Sequence, residues 1–176
     1  MPTPTYTAIS KNVLTSNQSS IVLNSIPSTY TDLLLVVSAR STDSANLYSA
    51  LLVQINALTT SNSNTMLYGY ITGTLSARNT YGASKNLIGQ FSTAMSTSNT
   101  FGSSETYIPN YAGSTNKVLS STAVSESNST TAEAAYVTNV AGLLSSTDVI
   151  SSLTFNFYTG QIASGSRFDL YGIKNS

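Results

Sequence analysis

The side chains that could do acid–base or nucleophilic chemistry are few in this chain. It contains no histidine and no cysteine, so the commonest general base and the thiolate nucleophile are both absent. A serine–histidine–aspartate triad is therefore excluded. Two serine–lysine neighbours, Ser10–Lys11 and Ser84–Lys85, leave a serine–lysine dyad formally open. Adjacent residues on a strand point to opposite faces, so neither pair is well placed for proton transfer.

Seven carboxylates are the remaining candidate acids: Asp32, Asp43, Glu105, Glu126, Glu133, Asp148 and Asp169. Three of the aspartates, at positions 32, 43 and 148, stand at strand starts or turns, where aspartate commonly caps the backbone. Only Glu126 and Glu133, on either side of a polar loop, could meet as the pair that glycoside hydrolysis needs. The favoured interpretation of that pair is two solvated loop charges, and a glycan-degrading enzyme stays as the third hypothesis. Calcium-loop and phosphate-loop spacings are missing, so we expect a non-enzymatic protein with no catalytic residues, no cofactor and no metal.

Tyrosine is the one enriched residue type with binding chemistry, at 11 of 176 residues. Tyr68 and Tyr70 share one face of a predicted strand, and Tyr81 is close in sequence. An exposed tyrosine offers a flat apolar ring and a hydroxyl, which suit sugar faces and protein partners. The same rings could instead fill a sandwich core with their hydroxyls at its edge, and both interpretations stay open. Tyr68, Tyr70 and Tyr81 are the candidate partner or glycan contacts.

Strands must position these residues, because no window of the sequence shows helical apolar spacing opposite a charged face. Eleven strand-like runs are predicted: 5–11, 20–26, 32–40, 51–56, 67–72, 86–91, 105–109, 117–125, 136–144, 152–158 and 167–173. Polar turn formers separate them, among them 59–64, 96–102 and 111–116. The runs do not repeat at a fixed period, which argues against a solenoid. The sequence predicts one all-β domain over 1–176, an antiparallel, jelly-roll-like β-sandwich of about 10–11 short strands.

Three local patterns make finer predictions. The continuous apolar run Leu33–Val37 is typical of a central strand buried on both faces. Near the C-terminus Arg167 and Asp169 stand two residues apart, so they share a strand face and can form an ion pair. A helical turn is predicted near Thr130–Ala134.

Charge is scarce. Only 8% of the residues are charged, against about 25% in an average protein, and the seven basic residues are scattered singly. We therefore expect neither nucleic acid nor an anionic membrane surface as a partner. No run reaches the roughly 18 apolar residues of a membrane helix, and the start lacks the pattern of a signal peptide. Serine and threonine make up about a third of the chain, and such an uncharged polar surface fits either a subunit packed among others or an extracellular β-domain.

Three segments resemble a recurring signature in small structural proteins of tailed bacteriophages. They are Ser25–Val36, Ile108–Tyr111 and Ser166–Ile173, which read SIPSTYTDLLLV, IPNY and SRFDLYGI. They span most of the chain. The resemblance implies a virion surface protein, either a capsid decoration protein or a distal piece of a tail fibre, and it brings no catalytic residues.

Two functional hypotheses follow. The first is a capsid decoration (cement) protein that binds the major capsid protein or another virion protein and forms a homotrimer, because three-fold axes abound on icosahedral shells. In this hypothesis residues 1–6 form an extended arm, with Pro2, Thr3, Pro4 and Tyr6 in contact with the capsid. The second is a tail-fibre tip that recognises host surface glycans, for which Tyr68, Tyr70 or Tyr81 must be exposed in a concave patch.

Overall fold

A computed structural model describes residues 5–70, 73, 75–128 and 135–174. Within these ranges the chain forms twelve β-strands and no helix. The strands are β1 (Tyr6–Val13), β2 (Ile21–Leu23), β3 (Asp32–Ala39), β4 (Tyr48–Ile55), β5 (Asn62–Tyr70), β6 (Leu75–Ala83), β7 (Asn86–Ser92), β8 (Gly102–Ile108), β9 (Lys117–Glu126), β10 (Ala135–Leu144), β11 (Leu153–Phe157) and β12 (Arg167–Ile173).

The strands form two antiparallel sheets packed as a sandwich, which confirms the predicted fold class. The larger sheet has eight strands in the order β1-β12-β3-β8-β9-β10-β5-β6, and the smaller has four in the order β2-β11-β4-β7. This order is consistent with a jelly roll in which the meander β8–β9–β10 stands where a single strand is usual. The first and last strands pair side by side, with Tyr6 opposite Ile173.

One half of the interior is thick and apolar. Leu33, Leu35 and Val37 of β3 point inward and are fully buried, whereas Leu34 and Val36 on the other face are only half-buried. The prediction that this run is covered on both faces is therefore wrong, although β3 does lie inside the larger sheet, between β12 and β8. Burying each such side chain contributes about 1.5–3 kcal/mol.

In the other half of the interior, the two sheets approach each other closely. Where β7 crosses β9, a Cβ on Gly89 would lie 2.2 Å from the Cβ of Ala123, so only glycine fits there. Small hydroxyls fill the remaining space: Ser121 Oγ donates to the carbonyl of Ile88 at 2.6 Å and lies 2.8 Å from the hydroxyl of Thr106. The bond from Ser121 to Ile88 joins the two sheets directly, and the contact between Ser121 and Thr106 links β9 to β8 within the larger sheet, so these buried hydroxyls have partners.

The segments Ser25–Val36, Ile108–Tyr111 and Ser166–Ile173 meet in space. The buried Tyr111 donates its hydroxyl proton to the carbonyl of Pro27. The ring of Tyr30 lies against Gly172, where a Cβ would come within 2.3 Å of it. The three segments therefore hold one another in place at one end of the sandwich.

The turn predicted at 59–64 is wrong, because β5 begins inside it. Asn62 and Asn64 are buried and bind the backbone of the β6–β7 connection: Asn62 Nδ2 donates to Ala83 O at 3.0 Å, and Asn64 Oδ1 accepts from Leu87 N at 3.0 Å. The strand β6 was not predicted at all. The predicted helical turn near Thr130–Ala134 falls within 129–134, outside the described residues.

Candidate binding surfaces

The predicted tyrosine pair exists, and two further tyrosines join it. The rings of Tyr68 and Tyr70, on the inward face of β5, stack with centroids 5.9 Å apart. Tyr136 of β10 lies 5.6 Å from Tyr70, and Tyr48 of the smaller sheet lies 4.3 Å from Tyr136. Tyr136 is buried and the other three are half-buried. The cluster therefore combines the two sequence interpretations: it seals the end of the sandwich and leaves ring edges at the surface.

Tyr81 does not belong to this cluster. It lies in the irregular stretch of β6 between the pairings Asn62↔Ala83 and Asn64↔Thr80, whereas Tyr68 pairs with Ser76 at the other end of the hairpin. At about 3.3 Å per residue, the five positions from Ser76 to Tyr81 span roughly 17 Å. The backbone of Tyr81 is therefore distant from that of Tyr68, and its role as a partner or glycan contact stays a prediction.

The candidate arm is described only in part. Pro2, Thr3 and Pro4 lie outside the described residues. Tyr6 begins β1 and is exposed, and the carbonyl of Thr5 accepts a hydrogen bond from Lys174 N at 3.3 Å. The contact of residues 1–6 with a capsid stays a prediction. Of these residues, Tyr6 is the first residue of β1, and Thr5 is bonded to the chain's own residue Lys174.

A cleft opens where the larger sheet continues beyond the smaller one. The edge strand β7 lies over β9 and β10, and β5 and β6 extend past it. The inward face of this hairpin therefore meets the outer face of the smaller sheet. Only Ser84 and Lys85 connect β6 to β7, and Asn64 Nδ2 donates to Lys85 O at 3.3 Å, so the cleft is closed at that end. Its volume is about 670 Å³.

The cleft carries rings, amides and cations together. Tyr48 lies at one end, and Tyr158 presents a ring that is 78% exposed. Gln90 lines the wall and is nine-tenths buried, and its Oε1 has no partner among the described residues. Arg78 on β6 and Lys85 supply positive charge, and Lys85 Nζ donates to Asn156 Oδ1 at 2.6 Å.

The carboxylate of Asp43 binds two of the residues that line the cleft, Asn46 and Thr159. Its carboxylate accepts hydrogen bonds from the hydroxyl of Thr159, from Asn46 Nδ2 at 2.8 Å and from Ala45 N at 2.8 Å. The bond from Thr159, followed by those from Asn46 and Ala45, lowers the pKa of Asp43 below its ordinary value. Both Asn46 and Thr159 line the cleft, so the charged carboxylate fixes their orientation.

An apolar patch lies on the opposite, outer face of the same strands. Four residues lie in register on the neighbouring strands β9, β10, β5 and β6, in the order Val124, Val137, Gly69 and Leu75. Val137 is 53% exposed and Leu75 is 74% exposed, and exposed Leu67 lies in the next row. A shallow depression of about 380 Å³ forms around Gly69. We name Leu67, Gly69, Leu75, Val124 and Val137 the outer patch; it contains no charged residue.

Several of the residues considered for catalysis make structural contacts. Asp32 Oδ1 accepts from Asn110 N at 2.8 Å, as expected of a capping aspartate. Glu126 Oε1 accepts from Asn128 N at 2.7 Å, and Glu133 lies outside the described residues. Lys85 Nζ donates to Asn156 Oδ1 at 2.6 Å.

The predicted ion pair between Arg167 and Asp169 is confirmed, with Arg167 Nε 2.6 Å from Asp169 Oδ2. The carboxylate is buried and the guanidinium is half-exposed, so the ion pair lies at the protein surface where β12 begins.

Among the described residues, no three groups of the histidine, cysteine, aspartate or glutamate type lie together as metal ligands. The described part of the chain also contains no helix long and apolar enough to cross a membrane. A comparison with protein-family models gives no match, and a comparison with curated proteins gives none either.

Proposed function

We propose that this chain is a non-enzymatic structural protein of a phage virion, a decoration protein that binds the major capsid protein lattice through the outer patch. The observation that carries the proposal is the row of exposed apolar side chains Val124, Val137 and Leu75, in register on β9, β10 and β6, with Gly69 of β5 between the last two. Contiguous exposed apolar surface of this kind marks sites of protein association.

The patch has the properties of a docking face. Its residues lie on paired strands, so their side chains are ordered before binding and little conformational entropy is lost on contact. No charge has to be desolvated there, which suits a partner surface that is itself apolar. The notch at Gly69, between Leu75 and Val137, can receive one protruding side chain of the partner.

The composition supports a crowded setting. With 8% charged residues and no net charge, copies of the chain repel one another little. Such copies can pack as trimers around three-fold axes of a shell. Sedimentation of the purified protein tests this state: a trimer mass is expected, and a monomer at all concentrations would remove the trimer from the proposal.

The sequence resemblance supports the same role. The segments Ser25–Val36, Ile108–Tyr111 and Ser166–Ile173 resemble structural proteins of tailed phages, and in this chain they interlock through Tyr111, Pro27 and the Tyr30–Gly172 contact. Their contacts stabilise the sandwich and provide no reactive group. This fits a protein whose task is assembly.

Labelling of intact particles tests the location. Gold-conjugated nanobodies against the purified chain are applied to particles of the phage that encodes it, and the particles are imaged by electron microscopy. Label spread over the head is the expected result. Label confined to the tail would reject decoration, and absence of label from dissociated as well as intact particles would reject a virion role.

A tail-fibre tip is the second candidate, and the cleft is the observation that favours it. A concave site with exposed Tyr158 and half-buried Tyr48 suits recognition of a host surface glycan. Label at the tail end would select this candidate.

A further inference from the structure

The cleft between the β5–β6 hairpin and the smaller sheet is not used by the proposed capsid contact. The outer patch and the cleft lie on opposite faces of the same two strands, so both can be occupied at once. The cleft volume of about 670 Å³ lies within the range of roughly 300–1,000 Å³ typical of small-ligand sites.

The aromatic groups of the cleft are held as platforms. Tyr48 is fixed by its contact with Tyr136, with ring centroids 4.3 Å apart. Tyr158 follows β11 and is anchored through its backbone, because Tyr158 N donates to Ala50 O at 2.9 Å. Tyr158 is 78% exposed, so its side chain is accessible to a ligand in the cleft. Such rings can stack on the C–H face of a sugar.

The polar groups between these rings suit hydroxyl-rich ligands. Asn46, Gln90 and Asn156 place amides along the cleft, and amides both donate and accept hydrogen bonds. Gln90 is nine-tenths buried and its Oε1 has almost no exposed surface, so the accessible amides of the cleft are those of Asn46 and Asn156.

The charge of the cleft selects an anion. Arg78 and Lys85 line it, and no carboxylate among the described residues does. The nearest acid, Asp43, is already bonded to Thr159, Asn46 and Ala45. Arg78 forms no ion pair within the described part of the chain, and a guanidinium binds carboxylates strongly. Two cations are too few for a nucleic-acid backbone.

We propose that this cleft binds an acidic oligosaccharide, with a sugar ring stacked on Tyr158, hydroxyls bonded to the amides, and a sugar carboxylate paired with Arg78. The site does not depend on where the chain sits on a particle.

Titration calorimetry with defined probes tests the site. Trigalacturonic acid and an α2,8-linked sialic acid trimer are the acidic probes. Fully methyl-esterified trigalacturonic acid keeps the shape and removes the charge, and maltotriose is a neutral sugar. The wild-type chain should bind at least one of the two acidic probes. It should bind the methyl ester at least tenfold more weakly than it binds that acidic probe.

Two variants and two matched controls locate the binding. Arg78→Gln and Tyr158→Ala should each weaken binding about tenfold or more, the size expected for losing a charged hydrogen bond or a stacked ring. Lys11→Gln and Tyr6→Ala remove the same groups from exposed positions on β1, outside the cleft, and should bind as the wild type does. Urea unfolding of every variant checks that the fold is kept.

Three results would overturn the inference. One is the absence of heat with all probes at millimolar concentration. Another is equal affinity for the acid and its methyl ester. The last is an equal loss from Lys11→Gln and Arg78→Gln, which would indicate general charge attraction.

Discussion

The hydroxyl of Tyr107 donates a hydrogen bond of 2.8 Å to Asp32 Oδ2. Asp32 opens β3 and Tyr107 is near the end of β8, so the bond joins two neighbouring strands of the larger sheet, and the second carboxylate oxygen holds Asn110 N. The hydrogen bond to Asp32 is the main cause that raises the pKa of Tyr107. A carboxylate that looked like a candidate acid is thus part of the framework.

Removal of the Tyr107 hydroxyl should destabilise the fold. Tyr107→Phe is expected to lower the free energy of unfolding by about 1–2 kcal/mol, because a hydrogen bond to a charged group is lost. In a double-mutant cycle with Asp32→Asn, measured by urea unfolding, the two changes should be non-additive. Tyr158→Phe removes an exposed hydroxyl and should change stability by less than about 0.5 kcal/mol. Equal effects of the two phenylalanine variants would contradict this role.

The close approach of the sheets at Gly89 should not tolerate a methyl group. Gly89→Ala places a Cβ 2.2 Å from that of Ala123 at a φ of +153°, so we expect a loss of about 2–3 kcal/mol from overpacking and backbone strain. Ala123→Gly in the same chain should restore part of that loss by removing the clash. Thermal and urea unfolding measure both variants. No rescue by the second change would mean that backbone strain, and not the sheet contact, sets the requirement.

Stability should fall in acid because of Asp43. Its pKa is lowered in the folded chain, so its contribution is fully present above the unfolded value of about 3.9 and is lost as the pH falls through the lower folded value. Asp43→Asn should therefore be less stable than the wild type at pH 7, by about 1–3 kcal/mol, and the gap should narrow below about pH 4. Urea midpoints between pH 2 and 7 measure this. The exposed Glu105→Gln is the control, and a constant gap for Asp43→Asn at every pH would contradict the account.

Much of the framework could be predicted from the sequence because its signals are local. The apolar run of β3, the alternation in β12 and the Arg167–Asp169 pair all follow from the two-residue period of a strand. The strand β6 escaped prediction because its sequence, Leu75 to Ala83, contains no run of large apolar residues, as an edge strand open to solvent allows. The turn predicted at 59–64 failed because Asn62 and Asn64 bond to backbone more than 20 residues away.

The candidate sites were harder to predict than the framework. Tyr48 and Tyr136 are 88 positions apart in sequence and meet only because the two sheets pack together. The cleft likewise needs the curl of β5 and β6 around the edge of the smaller sheet. Only the shared face of Tyr68 and Tyr70 could be predicted from the sequence, because the backbone of Tyr81, although close in sequence, lies toward the other end of the hairpin.

The N-terminal arm can be tested without disturbing β1. Deletion of residues 1–4 keeps Thr5, whose carbonyl bonds to Lys174 N, and should leave the urea midpoint unchanged. Binding to emptied capsids, measured by co-sedimentation, should become weaker if Pro2, Thr3 and Pro4 touch the shell. Binding equal to that of the full chain would remove the arm from the capsid contact and leave the outer patch as its sole candidate.

Binding of purified protein to capsids stripped of it tests the central claim most directly. Val137→Lys puts a charge into the middle of the outer patch, and Val22→Lys makes the same change at an equally exposed position on the smaller sheet. With folding checked for both, the account predicts that the wild type and Val22→Lys saturate the capsids and that Val137→Lys binds at least tenfold more weakly. Equal binding of Val137→Lys, or no binding of the wild type, would contradict it.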